Sequence, residues 1–245
     1  MNAVAFIPAR FGSTRLNGKP LADIGGKPMV QWVYEQAKKA RLIDDVTVAT
    51  DDERILKAVE SFGGRAVMTS SAHRSGTDRI AEAAEKTSAD IIVNMQGDEP
   101  LIEPELIDRA VAPMLADPNL LVCTLKTEIT EEEEYYNPNA VKVVTDKDGY
   151  ALYFSRSPIP YGKGSFRKLR SKPYKHIGLY VYRRDFLLKF PKLEPTPLEE
   201  TESLEQLRAL ENGYRIKVVE TKYNPISVDT PEDLERVRRL IKARP

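Results

Sequence analysis

Residues 4–21, VAFIPARFGSTRLNGKPL, decide how the rest of the chain is read. Val4-Ala5-Phe6-Ile7 is an apolar run too short for a helix and the right length for a buried strand. Pro8 has no N–H, so it is expected to end ladder pairing. A loop follows that holds Gly12, Ser13, Thr14 and Gly18 together with Arg10, Arg15 and Lys19. A loop of this kind at the carboxyl end of a first strand can turn backbone N–H groups inward and seat an anion. The three cations add fixed positive charge, which suits a polyphosphate. The loop is not a Walker motif: Gly12 and Lys19 are one residue too far apart, and Pro20 stands where a magnesium-binding Ser or Thr belongs. It is not a dinucleotide fingerprint either. The competing reading is a solvated loop that happens to be basic.

Downstream, the chain alternates. Pro28 suits the first position of a helix whose apolar stripe is Met29, Val30, Val33, Tyr34 and Ala37. Val46 to Ala49 predicts a second strand, Glu53 to Phe62 a helix capped by Asp51 or Asp52, and Ala66 to Met68 a third strand. Such alternation predicts a parallel sheet with helices on both faces. Ligands bind outside the carboxyl ends of such strands. That rule puts the basic loop, Thr50-Asp51 and the segment after Met68 on one rim. In that segment, Arg74 and Ser75 precede a helix expected over 78–86, and they offer either an anion contact or a plain helix cap. His73 is assigned no role.

Ile91 to Val93 predicts a central strand, and Gln96, Gly97, Asp98 and Glu99 follow at its carboxyl end. A carboxylate facing a polyphosphate is repelled unless a cation lies between them, and magnesium binds through one or two carboxylates plus phosphate oxygens. Asp98 is therefore a candidate metal ligand, against the alternative that it caps the helix expected over 104–115. The acidic run of Glu128 and Glu131 to Glu134 reads as a solvated face. Strands at 140–145 and 150–155 joined through Asp148-Gly149 predict a hairpin, so an antiparallel piece joins the parallel pattern. Residues 156–184 hold many Lys and Arg and no acidic residue, apt for an anionic substrate, a dimer arm or nucleic acid. In the strand expected over 175–182, His176, Gly178, Tyr180 and Tyr182 fall on one face. One helix is expected from Leu198 to Leu210, with Glu205 and Gln206 off its apolar stripe. Thr230 with Asp233 resembles a capping box, which leaves Asp229 as a second candidate metal carboxylate.

Composition narrows the class. The 245 residues suit one large α/β domain or one with an insertion. Lys+Arg and Asp+Glu each number 37, and this zero balance argues against a general nucleic-acid or membrane-surface binder. The single cysteine, Cys123, lies in an apolar run and forbids an internal disulfide. With no stretch long enough to span a bilayer and no signal-like opening, a reducing cytoplasm is expected.

The set IPARFGSTRLNGKPL, HRSGTDR, NMQGDEP, NPNAVKVV, GYALYFSRSPIPY, HIGLYVY, LEQLR and VDTPEDLERV resembles the bacterial CMP-Kdo synthetases, cytidylyltransferases that activate 3-deoxy-manno-octulosonate (Kdo). The likeness runs from residue 4 to about residue 240. Asn17 departs from it, standing where that family commonly has Pro. The resemblance implies a Rossmann-like nucleotidyltransferase over 1–245, a mostly parallel mixed sheet flanked by helices. Residues 137–195 would be an inserted antiparallel part for sugar binding and dimerisation. It implies Arg10, Ser13, Arg15 and Lys19 on the CTP triphosphate, Arg74 and Ser75 at the cytidine end, and Mg2+ on Asp98 and Asp229. Gln96 would stand between nucleotide and sugar, with Arg156, His176, Tyr180, Glu205 and Gln206 around the Kdo and Arg156 on its carboxylate. Lys19, Asp98, Asp229 and Arg10 would carry the chemistry: the 2-hydroxyl of Kdo attacks the α-phosphorus and pyrophosphate leaves. A homodimer is implied as well. The competing readings are the same chemistry on another sugar acid, such as 8-amino-Kdo or a sialic acid, and a non-catalytic sugar-nucleotide sensor.

Overall fold

A computed structural model describes residues 1–12, 16–163 and 165–243. In chain order the first half contains β1 (Ala3–Ala9), the short pair β2 (Asp23–Ile24) and β3 (Lys27–Pro28), α1 (Met29–Lys39), β4 (Asp45–Thr50), α2 (Glu53–Ser61), β5 (Ala66–Met68), α3 (Gly76–Glu85), β6 (Ile91–Asn94) and α4 (Pro104–Ala116). The second half contains β7 (Val122–Glu128), α5 (Glu132–Tyr136), β8 (Lys142–Thr145), β9 (Ala151–Ser155), β10 (Tyr174–Arg183), α6 (Arg184–Lys189), α7 (Pro197–Glu202), α8 (Gln206–Glu211), β11 (Ile216–Thr221) and α9 (Pro231–Lys242).

The main sheet runs β11-β7-β10-β6-β1-β4-β5, with β8 joined to β10 and β9 to β8. Pairing is parallel except along β10, which lies antiparallel between β6 and β7, and through the β8–β9 hairpin. The hairpin is thus continuous with the main sheet by way of β10. One face of the sheet buries Val30 and Val33 of α1, Ile55 and Val59 of α2, and Leu106 and Val111 of α4. The other face buries Ile80 of α3, Phe186 of α6 and Leu207 of α8 against Phe6, Ile92 and Tyr182. A third cluster, with Ile24, Met29, Val228, Leu234 and Val237, docks α9 beside the β2–β3 pair.

The strand order places β1 between β4 and β6, so the chain's direction of winding reverses there. Ligand crevices open at such reversals. Pro8 shapes this one, though not as the sequence suggests. It does not end β1, because pairing with β4 continues through Ala9 and Thr50, whereas pairing with β6 stops at Phe6 and Asn94. The Phe6 carbonyl accepts from the Met95 N–H, so even-numbered residues of β1 address β6. Pro8 has no N–H to offer on that side, and the two strands part.

One further local expectation is revised and two gain detail. The acidic run keeps its solvated face, with Glu131, Glu132 and Glu133 exposed, and lies on the short helix α5, which buries Tyr135. The helix expected over 198–210 is split, because Ser203 sits at φ 52° between α7 and α8. The Arg156 guanidinium donates to the carbonyls of Glu202 and Ser203, so the end of α7 is satisfied by a side chain from the residue that follows β9. In β10, two residues loop out between Ile177 and Tyr180. An even number preserves the alternation, so His176, Tyr180 and Tyr182 still share one face, their rings 5.2 and 5.7 Å apart in succession.

Candidate active site

The crevice is a cleft of about 430 Å3 lined by Pro8, Arg10, Lys19, Arg74, Gln96 and Asp98 among others. Its walls are the end of β1, the loop after β6, the start of α3 and the loop before α9. Gly18, at φ 67°, closes the basic loop by donating to the Phe11 carbonyl at 3.0 Å and packs against the Phe11 ring. That turn aims Lys19 inward. Its ammonium bonds Asp98 Oδ2 at 2.7 Å and Asp229 Oδ1 at 3.1 Å. The two carboxylates are brought together by main chain: the Val228 N–H donates to the Asp98 carbonyl at 2.9 Å. Thr230 then caps α9 in a capping box with Asp233, which leaves the Asp229 side chain outside the cap. Asp98 caps no helix; Glu103 holds that position at α4.

Arg10 is exposed at the cleft's mouth. Ser13 and Arg15 lie outside the described residues. Ser75 is the N-cap of α3 in a capping box with Asp78, and both Ser75 and Arg74 line the cleft. Helix cap and cleft wall are therefore one feature rather than alternatives. Gln96 Nε2 donates to the Gly178 carbonyl at 3.1 Å, in the looped-out part of β10.

Of the residues associated with the sugar acid, Glu205 lines an adjoining hollow of about 680 Å3 that shares Arg74 and Ser75 with the cleft. Burial raises the pKa of its carboxyl, against hydrogen bonds from Thr77 and Ser75. Gln206 begins α8 and is half-buried. Arg156 donates to the carbonyls of Glu202 at 2.8 Å, Ser203 at 3.2 Å and Pro138 at 3.1 Å, so most of its fork is committed to backbone. It lines neither the cleft nor the adjoining hollow.

His176 lies against Phe154 and Tyr180, with Nε2 2.9 Å from Thr124 Oγ1. The single Thr124 hydroxyl proton is directed at the carbonyls of Ile177 and Leu179, so the imidazole N–H is the donor in that pair. Burial pulls the His176 pKa from 6.5 to about 3. The unfolded chain takes up this proton near pH 6.5 and the native chain only near 3, so native stability conferred by neutral His176 is lost as pH falls through that window. Melting temperature should therefore drop more steeply from pH 6.5 toward 3 in the wild type than in His176→Gln. Parallel curves would refute the assignment.

Three residues here were given no role by the sequence. Arg79 is buried on α3, bonds Asp51 at 2.7 Å and Thr69 at 2.5 Å, and lines the cleft. A charged residue on the buried side of an amphipathic helix was the available signal. Glu99 is buried, and burial with the neighbouring Asp98 pushes its carboxyl up to about 8. It is thus protonated at neutral pH and adds little charge beside Asp98. His73 lines the cleft and is held 2.5 Å from Glu82.

Hard oxygen donors on two converging carboxylates fit Mg2+, which completes its shell with phosphate and water. Among the described residues no cluster of three or more His, Cys, Asp or Glu offers an all-protein metal cage. No helix among the described residues is long and apolar enough to cross a membrane.

A cytidylyltransferase family model matches residues 4–217. The chain is 58% identical over 250 residues to the 3-deoxy-manno-octulosonate cytidylyltransferase of Geobacter sulfurreducens, covering 99% of this chain and 100% of that protein. It is equally similar, 58% over 250 residues with the same coverage, to the protein of that name from Geotalea uraniireducens. Among solved structures, a CMP:2-keto-3-deoxy-manno-octonic acid synthetase complexed with CTP superposes with TM-score 0.94 at 47% identity, over 99% of both chains. A fold wound to open at β1, a cationic loop meeting two carboxylates there, and this likeness along nearly the whole length agree: the chain belongs to the 3-deoxy-manno-octulosonate cytidylyltransferase family.

Proposed function

We propose that this chain transfers CMP from CTP to the anomeric 2-hydroxyl of Kdo, giving CMP-Kdo and pyrophosphate for lipopolysaccharide synthesis. The observation that carries the reading is the meeting of Lys19, Asp98 and Asp229 in the cleft at the end of β1. A sensor would need no such arrangement beside a triphosphate seat. In the reaction the sugar oxygen forms a bond to the α-phosphorus, the bond from that phosphorus to the β-phosphate oxygen breaks, and the hydroxyl proton passes to solvent. No covalent enzyme intermediate is required.

The protein's part is to position both substrates and to oppose their charge. Arg10 and Lys19, with Ser13 and Arg15 of the same loop, attract the triphosphate. Arg74 and Ser75, at the start of α3, face the cytidine end. Gln96 spans nucleotide and sugar. His176, Tyr180, Glu205 and Gln206 address the Kdo hydroxyls, and the part of the Arg156 fork not spent on carbonyls meets its carboxylate. Asp98 and Asp229 would hold Mg2+, which when bound supplies charge neutralisation for the phosphates and the attacking oxygen.

The buried thiol of Cys123 suits a reducing cytoplasm. A homodimer is part of the proposal. It is supported by the free edge of β9, where Leu152 is 63% exposed, and by Tyr161 at 81%. No nucleic-acid or membrane partner is invoked.

Pyrophosphate release measured with CTP and each of Kdo, 8-amino-Kdo and a sialic acid tests the substrate. Kdo should give the highest kcat/KM. A preference for either alternative would transfer the same chemistry to that sugar acid, and no release with any of them would favour a sensor.

A further inference from the structure

Behind the cleft, Glu205 is backed by a directed chain of side chains, of which Thr77 and Asn94 carry no substrate assignment above. Thr77, in the first turn of α3, is 4% exposed, and its Oγ1 donates to Glu205 Oε2 at 2.5 Å. A hydroxyl has one proton to give and lone pairs to accept with. With its proton committed to Glu205, Thr77 receives from Asn94 Nδ2 at 3.4 Å. Asn94 ends β6, the strand that continues into Gln96 and Asp98. Glu205 is the N-cap of α8. The chain Asn94–Thr77–Glu205 therefore ties the strand bearing the candidate metal carboxylate to the hollow beside the cleft. It passes through the helix start whose Ser75 lines both.

The network is also incomplete. Asn94 Oδ1 and the Tyr180 hydroxyl are buried with no hydrogen-bond partner among the described residues. They stand on residues directly opposite one another in the β6–β10 register. One is an acceptor and the other can donate. Buried polar groups are nearly always paired, so two adjacent exceptions beside Glu205 mark a place prepared for a polar ligand.

We propose that Thr77 is a positioning residue for the sugar acid: its hydroxyl holds the Glu205 carboxylate in register with β6, and so sets the Kdo side of the site from the helix start that forms its nucleotide side. The proposal rests on the reading that Glu205 contacts Kdo. Thr77→Val removes the hydroxyl and keeps the shape. It should raise KM for Kdo roughly tenfold, the effect of losing one hydrogen bond to a charged group, with KM for CTP and kcat unchanged. Thr77→Ser keeps the hydroxyl and should restore the wild-type KM. Glu205→Gln is the companion variant. If it raises KM for Kdo and Thr77→Val does not, the positioning role is overturned while the reading of Glu205 stands. If Glu205→Gln leaves KM for Kdo unchanged, that reading fails and takes the proposal with it. A loss shared by Thr77→Val and Thr77→Ser, or one spread equally over both substrates, would show a merely structural residue. Should Thr77→Val not fold, Thr77→Cys keeps the size with a weaker donor, and the same split between Kdo and CTP decides.

Discussion

Replacing Asp98 or Asp229 by Asn is expected to lower kcat at least ~100-fold, the usual cost of removing a charge-stabilising group from an active site. Asn keeps the shape and removes the charge, and it spares what holds the two positions together. The bond that joins them runs from the Val228 N–H to the Asp98 carbonyl and uses no side chain. The Asp229 N–H is held by Asp233, a bond that Asn at this position keeps. Both variants should therefore melt near the wild type while losing turnover, as measured by pyrophosphate release at saturating CTP and Kdo. Near-normal turnover in either variant would remove that residue from the mechanism.

Lys19→Met is expected to produce two changes of opposite sign. Turnover should fall at least ~100-fold, because the side chain supplies fixed positive charge to the triphosphate. Affinity of the nucleotide-free protein for Mn2+, read by electron paramagnetic resonance, should rise about tenfold or more. The ammonium sits within 3.1 Å of both carboxylates, where it competes with any divalent cation for the same negative charge. A unit charge at such a distance near a protein surface is worth on the order of a few kcal/mol, enough for that change. In the proposed complex the triphosphate would attract Lys19 while Mg2+ would compete with it for the two carboxylates. Unchanged or weaker Mn2+ binding in Lys19→Met would show that Lys19 does not guard the pair.

Much of this was legible from local pattern. The alternation from Val4 to Met68 made a parallel sheet the economical solution, and β1, β4, β5, α1 and α2 lie within a residue or two of the expected spans. The Thr230–Asp233 box read correctly because capping is a contact between residues three apart. The same local logic singled out Asp229, since the capping role fell to Thr230. Local pattern misled where a distant partner overrode it. Nothing within 198–210 signals a break at Ser203; the break is stabilised by Arg156, distant in sequence and just past the end of β9. Pro8 was read as a strand end, yet only its β6 side opens, a distinction that depends on which neighbour lies on which side.

By itself, the order of residues determined the strand–helix alternation, the cationic loop at the end of the first strand, the two candidate carboxylates and the family likeness, because each rests on short-range spacing and residue chemistry. Only the tertiary structure decided that Lys19 lies between Asp98 and Asp229, that Arg156 secures the end of α7, and that Asn94, Thr77 and Glu205 form one chain. Those pairings depend on the insertion of β10 between β6 and β7 and on one backbone bond at Val228. Both are long-range hydrogen-bond choices, set by how the whole sheet satisfies its N–H and C=O groups rather than by any neighbourhood in the sequence.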